Sequence, residues 1–182
     1  MSELERKAEV FVAPYWNAHH LLNTRDWLVR LAPDASEALR VAAVVHDCER
    51  MFPGGPVVDP SGPHDDETYL RAHSERSARF AGEWLRGERA DARFVDEVEE
   101  LVRLHELGGT PDADLLQAAD SISFLDVNDH VVLNWVADGR ATRAQARAKL
   151  DYMLERIRFE HARELALPLY ARATARLEEL AA

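Results

Sequence analysis

The chain is poor in cysteine, in lysine and in long apolar runs. Its 182 residues hold one cysteine, Cys48. A single thiol excludes a disulfide framework and a cysteine-built zinc site, and it points to a reducing compartment. No window approaches the roughly 20 consecutive apolar residues that a membrane span requires. The N-terminal stretch MSELERKAEVFVAPYW lacks the apolar segment of a signal peptide. The expectation is therefore a cytoplasmic protein with no membrane contact. Lysine occurs only as Lys7 and Lys149, so arginine carries the positive charge. That bias suits a genome-composition effect, and a lone arginine carries little functional information here. The net charge is −11, which argues against a surface for nucleic-acid polymers or anionic lipid. A small anionic substrate held by a few local cations is compatible with it.

What is present is helical periodicity. At 47% hydrophobic and 30% charged residues the composition is that of a globular protein, and the length suits one domain over 1–182. Residues 18–31 place Leu21, Leu28 and Leu31 at helical spacing. Asp34 and Glu37 have capping-box spacing and open a second helix, whose Leu39, Val41, Val44, Val45 and Cys48 form an apolar face. Residues 51–66 hold four prolines and three glycines and predict a long loop. A third helix covers 67–86. Asp91 caps a fourth over 92–106, and Gly108-Gly109 ends it. Thr110-Pro111 is a cap followed by proline at the first helical position, opening 112–126. Another helix ends near Gly139. Thr142 and Gln145 cap a terminal helix pair, in which Pro168 predicts a kink or break. No strand candidate survives, so the expected fold class is an all-α bundle.

The chemistry-bearing residues are histidines and aspartates. A His-Asp dipeptide is expected about once by chance in such a chain, and it occurs twice, at His46-Asp47 and His64-Asp65. Position separates them. His20 lies in the first apolar helix, His46-Asp47 ends the second, and His73 stands early in the third. His105 ends the fourth, and Asp120 lies inside the apolar stretch LLQAADSISFL. Five successive helical segments each supply an inward or rim position. Neutral imidazoles and carboxylates suit Mn, Fe, Zn, Co or Ni, and Mg accepts the oxygens. An aspartate bridging two ions, with histidines on both sides, would activate a water for attack on phosphorus.

The ordered set His20, His46-Asp47, His73, His105 and Asp120 resembles the HD superfamily of metal-dependent phosphohydrolases. The local contexts resemble it too: HLLNT from His20, LRVAAVVHDCER, HSERSARFAGEWL, LVRLHE and LLQAADSISFL. The resemblance covers about residues 17–126. It implies an all-α fold and His20, His46, Asp47 and Asp120 as the minimal metal set, with Asp47 as the bridge and catalytic carboxylate. The extra histidines His73 and His105 imply two metals, with Mn or Fe favoured. A small phosphorylated substrate is implied, such as a nucleotide. One branch of the superfamily implies a different outcome, a diiron oxygenase acting on a polyol or phosphonate. A non-catalytic, metal-stabilised helical module is the third reading.

The chain departs from the family's pattern after His-Asp, where Cys48-Glu49 replaces the usual small pair. Glu49 is open between an extra ligand, a general base and a solvated charge. Arg50 and Arg76 are candidates for contacts to phosphate oxygens. His19 competes with His20, and the family's spacing to Thr24, with the apolar run, favours His20. Asp65, Asp66 and His64 suit helix caps and solvated charge, with a lid beside the metals as the other reading. His130 and His161 fall outside the pattern. Tyr15 and Trp16 suit core packing better than a base-stacking pocket. Residues 127–182 predict only helices that close the core.

Overall fold

The computed structural model describes residues 1–180. Among them are nine α-helices and no strand: α1 (Glu3–Val12), α2 (Ala18–Leu31), α3 (Glu37–Val45), α4 (Glu67–Gly87), α5 (Ala92–Leu104), α6 (Pro111–Ser123), α7 (Asp129–Ala137), α8 (Arg143–Glu155) and α9 (Glu160–Glu179). A 3₁₀ turn, Cys48–Met51, follows α3, and a π-helical turn, Phe124–Asn128, joins α6 to α7. No described helix is long and apolar enough to cross a membrane.

Most helix starts follow the capping chemistry in the sequence. Asp91 accepts from the amides of Arg93 and Phe94, and Thr110 accepts from Ala113 ahead of Pro111. Thr142 and Gln145 form a reciprocal capping box. The second helix differs from expectation. Its cap is Ser36, whose hydroxyl accepts from Leu39, and Asp34 takes no part. Serine directly before Glu37 sits one turn from the amide it caps, which Asp34 does not. Pro168 is the other difference: α9 runs through it to Glu179 without a break.

Two apolar clusters divide the interior. The first joins α1 to α6 through residues such as Leu21, Leu28, Val44, Leu85 and Val98. The second joins α6 to α9 through Ile122, Leu125, Leu150, Met153 and Leu177. Helix α6 serves both, giving Leu116 and Ala119 to one and Ala118 and Ile122 to the other. Helix α3 is buried on every side from Ala38 to Val45 except at Arg40. A helix apolar all round belongs at the centre of a bundle. Whatever stands at its C-terminus is therefore buried as well, and there the chain places His46.

Candidate metal centre

Five helices and one 3₁₀ turn deliver the predicted residues to one place. His20 comes from the first turn of α2, and His46 caps α3. Asp47 opens the 3₁₀ turn, His73 lies on α4, His105 caps α5 and Asp120 lies on α6. All four imidazoles are buried. Their rings form a chain with centroids 5.6 Å apart from His20 to His46, 5.1 Å from His46 to His105 and 5.3 Å from His105 to His73. His20 rather than His19 is the buried member of its pair.

Each ring is oriented by a partner on Nδ1. His46 donates to the carbonyl of Ala43 at 2.9 Å and His105 to that of Val102 at 2.6 Å. Both residues cap helices, where carbonyls lack intrahelical donors, so one bond satisfies the backbone and fixes the tautomer. His73 Nδ1 donates to Glu49 Oε1 at 3.0 Å. His20 Nδ1 donates to Ser123 Oγ at 2.9 Å, and that hydroxyl spends its own proton on the His20 carbonyl. In all four rings Nε2, which carries the lone pair in the neutral imidazole, is thus turned to the centre.

These lone pairs meet carboxylate oxygens. His20 Nε2 is 3.0 Å and His46 Nε2 3.4 Å from Asp120 Oδ1, and His73 Nε2 is 2.7 Å from Asp47 Oδ1. His105 Nε2 lies 4.0 Å from Asp47 Oδ1 and 3.9 Å from Glu106 Oε1. The Nε2 atoms of His46, His73 and His105 are buried without a hydrogen bond of proper geometry, the His73 contact included. A lone pair facing an anionic oxygen is repulsive unless a proton or a cation lies between them. Two ligands about 2.1 Å from one metal and at about 90–110° to each other stand about 3.0–3.4 Å apart, so the spacings of His20 and His46 from Asp120 fit a cation, while His73 stands closer to Asp47 and His105 farther from it. The donors fall into two groups, His20–His46–Asp47 and Asp47–His73–His105, with Asp47 common to both.

Both aspartates are ionised. Burial opposes this at Asp47, but Arg50 and the neighbouring histidines hold it well below the usual carboxylate range. Burial likewise opposes it at Asp120, where Arg156 and the bonds from His20 and His46 prevail. His46 rises to about 9 because Asp120 and Asp47 outweigh its burial, whereas burial pushes His105 down to about 4.

Glu49 is settled by its contacts. It is buried, accepts from His73 on one oxygen and pairs with Arg76 Nε at 3.0 Å on the other. It is the carboxylate that orients a histidine, not a solvated charge. A Cβ on Gly55 would collide with this carboxylate, so the loop crosses it with glycine. Arg76 is correspondingly occupied: it also donates to the Pro53 carbonyl at 2.6 Å and does not line the cavity beside the centre, so the structure does not place it for a phosphate contact. Arg50 does line the cavity, donating to Asp47 Oδ2 at 3.0 Å and to the Tyr69 hydroxyl at 2.9 Å.

That cavity, about 440 Å³, has Asp47 and Asp120 at its floor and the 51–66 loop along one side. The loop is tied down. His64 Nε2 bonds the Gln145 carbonyl at 3.1 Å, Gln145 Nε2 donates to the Ser61 carbonyl at 3.0 Å, and His64 stacks on Trp135. Asp66 caps α4 as expected. Trp16, expected in the core, is 71% exposed and stands on the cavity rim with Val57. Sequence reasoning missed Arg156, which pairs with both Asp120 and Glu106, and it missed Glu106 itself, beside His105. It also passed over His130 and Lys149, which line the cavity. Only adjacency to His105 could have flagged Glu106. Arg156 had no sequence signal among the many arginines. His161 is exposed and away from the centre.

Comparison of the chain with family models, with curated proteins and with solved structures finds no match.

Proposed function

We propose that the protein is a metal-dependent phosphohydrolase using two divalent cations on a phosphoester or phosphoanhydride of a nucleotide or other small phosphorylated metabolite. The observation that carries this reading is the division of the donors into two groups that share Asp47. A carboxylate common to two pairs of imidazoles is a donor set for two neighbouring cations. The set contains only nitrogen and oxygen, which suits Mn or Fe and also admits Zn, Co, Ni or Mg. The resemblance to the HD superfamily, carried by the same residues, supports the same reading. When bound, the cations supply Lewis acidity, lowering the pKa of water and neutralising charge on the phosphoryl group.

The chain's own residues hold and orient. Asp47 keeps one oxygen toward the histidines because Arg50 holds the other. Arg50 remains open to the cavity and can meet a phosphoryl oxygen. Arg156 keeps Asp120 and Glu106 charged despite their burial. Elemental analysis of protein made without added metal should find about two ions per chain. Hydrolysis of para-nitrophenyl phosphate with Mn²⁺ should follow, and should stop on chelation. Protein that takes up neither Mn nor Fe, and hydrolyses nothing, would end this reading.

The ligand chemistry also suits a diiron oxygenase, because two imidazoles with one carboxylate are the donor set of non-haem iron oxygenases. Absorption and EPR spectra of aerobically purified protein decide between them. A colourless protein, active with Mn and without an iron signal, excludes the oxygenase. A lowered Tm in Asp47→Ala, with no hydrolysis in the wild type to lose, would instead favour a non-catalytic module.

A further inference from the structure

Two side chains of the cavity wall lie outside the metal centre and lack partners. Lys149, on α8, has no hydrogen bond or ion pair to the described residues. Its Nζ lies between two aromatic faces, 5.3 Å from the ring centre of Phe124 and 5.1 Å from that of Tyr152. It is near enough to Arg156, Glu106, Asp120 and Arg50 to feel their charges. Arg50 and Arg156, the other cations near the floor, are each engaged by carboxylates. Arg140, farther out, pairs with Asp138. Lys149 is thus, among the described lysines and arginines of the cavity wall, the cation that no carboxylate engages, beside an Arg50 that Asp47 already half neutralises. The rings hold the compact ammonium from its sides and offer no acceptor that matches an anionic oxygen.

Asn128 is the second. It is buried and lines the same cavity; its Oδ1 has no hydrogen-bond partner and is itself shielded from solvent, so the amide must turn about χ2 before that oxygen meets a ligand. It stands at the N-cap of α7, where an asparagine ordinarily accepts from an amide of the first turn, and it makes no such bond. The π-helical turn that ends at Asn128 is itself a wall of the cavity. Such turns recur at functional sites because they move side chains off the helical register. A buried amide oxygen without a donor is costly, and a ligand hydroxyl removes that cost.

We propose that Lys149 and Asn128 form the substrate subsite, which takes a phosphate ester bearing a free hydroxyl: Lys149 holds a phosphoryl oxygen, and Asn128 accepts from the hydroxyl. This rests on the phosphohydrolase reading and narrows it to sugar-type or nucleoside-type phosphates over aryl or alkyl esters. Trp16 and Val57 at the rim leave room for the remainder of such a ligand beyond the polar floor.

With only two lysines, reductive ¹³C-methylation yields two side-chain NMR signals, assigned with Lys7→Arg. Inorganic phosphate added to the Mg²⁺-loaded protein should shift the Lys149 signal and leave that of Lys7 in place. Lys149→Met should weaken phosphate binding in calorimetry at least tenfold, with metal content unchanged, and Lys149→Arg should restore part of it. Asn128→Leu should leave phosphate binding within twofold. It should raise KM for ribose 5-phosphate at least fivefold, with KM for phenyl phosphate unchanged. Equal phosphate binding by wild type and Lys149→Met, or equal losses on both esters in Asn128→Leu, would overturn the subsite while hydrolysis by the wild type keeps the phosphohydrolase reading. Metal-loaded wild type that neither binds phosphate nor hydrolyses either ester overturns both.

Discussion

Asp47 and Asp120 each turn one oxygen to histidines and the other to an arginine, but the two arginines come from different parts of the chain. Arg50 lies three residues beyond Asp47, and a quarter of its side chain meets solvent. Arg156 lies 36 residues beyond Asp120, is 6% exposed, and also neutralises Glu106. The local clamp stays open to a ligand and the distant one is closed over. One is suited to substrate contact, the other to holding buried charge in place.

The largest effect should come from the shared carboxylate. Asp47→Ala should remove both ions and lower hydrolysis by about a thousandfold or more, whereas Asp120→Ala should retain one ion; elemental analysis of the two variants checks the difference. Next in size is the clamp. Arg156→Met leaves two buried carboxylates uncompensated and should destabilise the metal-free protein by about 3–5 kcal/mol in urea unfolding. Arg50→Met, at the more exposed pair, should cost about 1 kcal/mol, with its main effect on KM. Equal losses would dissolve the distinction between the clamps. Smaller again is the orientation of single rings. Glu49→Gln should weaken one metal about 10–100-fold in a competitive chelator titration. Ser123→Ala removes a neutral partner from His20 and should weaken the other by about 1 kcal/mol. The smallest stability change belongs to the rim: Trp16→Ala should leave unfolding within about 0.5 kcal/mol while raising KM.

The candidate ligands were legible because they recur in order at the ends and inward faces of apolar helices, a pattern that burial of polar groups makes expensive without a purpose. Helix type and most caps followed from local chemistry. Ser36 displaced Asp34 because the start of α3 depends on which side chain reaches an amide, not on spacing alone. The surroundings of the centre were less legible. Arg76 and Glu49 form a pair across 27 residues, and nothing in either stretch declares it. Arg156 and Lys149 come from a region with no motif, where one cation resembles the next until the fold chooses among them. Asn128 was hidden in the same way, since its significance lies in a bond that its helix start fails to make.

The reach from Asp120 to Arg156 also has a meaning in time. The ribosome completes the set of six candidate ligands when it adds Asp120, with most of the stretch from α6 to α9 still to be made. Until α8 emerges, Asp120 and Glu106 lack the arginine that pairs with both of them. A nascent or C-terminally truncated product therefore carries every candidate ligand, yet lacks the arginine that pairs with two of its buried acids. The charge balance of the cluster waits on the arrival of a helix that contributes no candidate ligand to it.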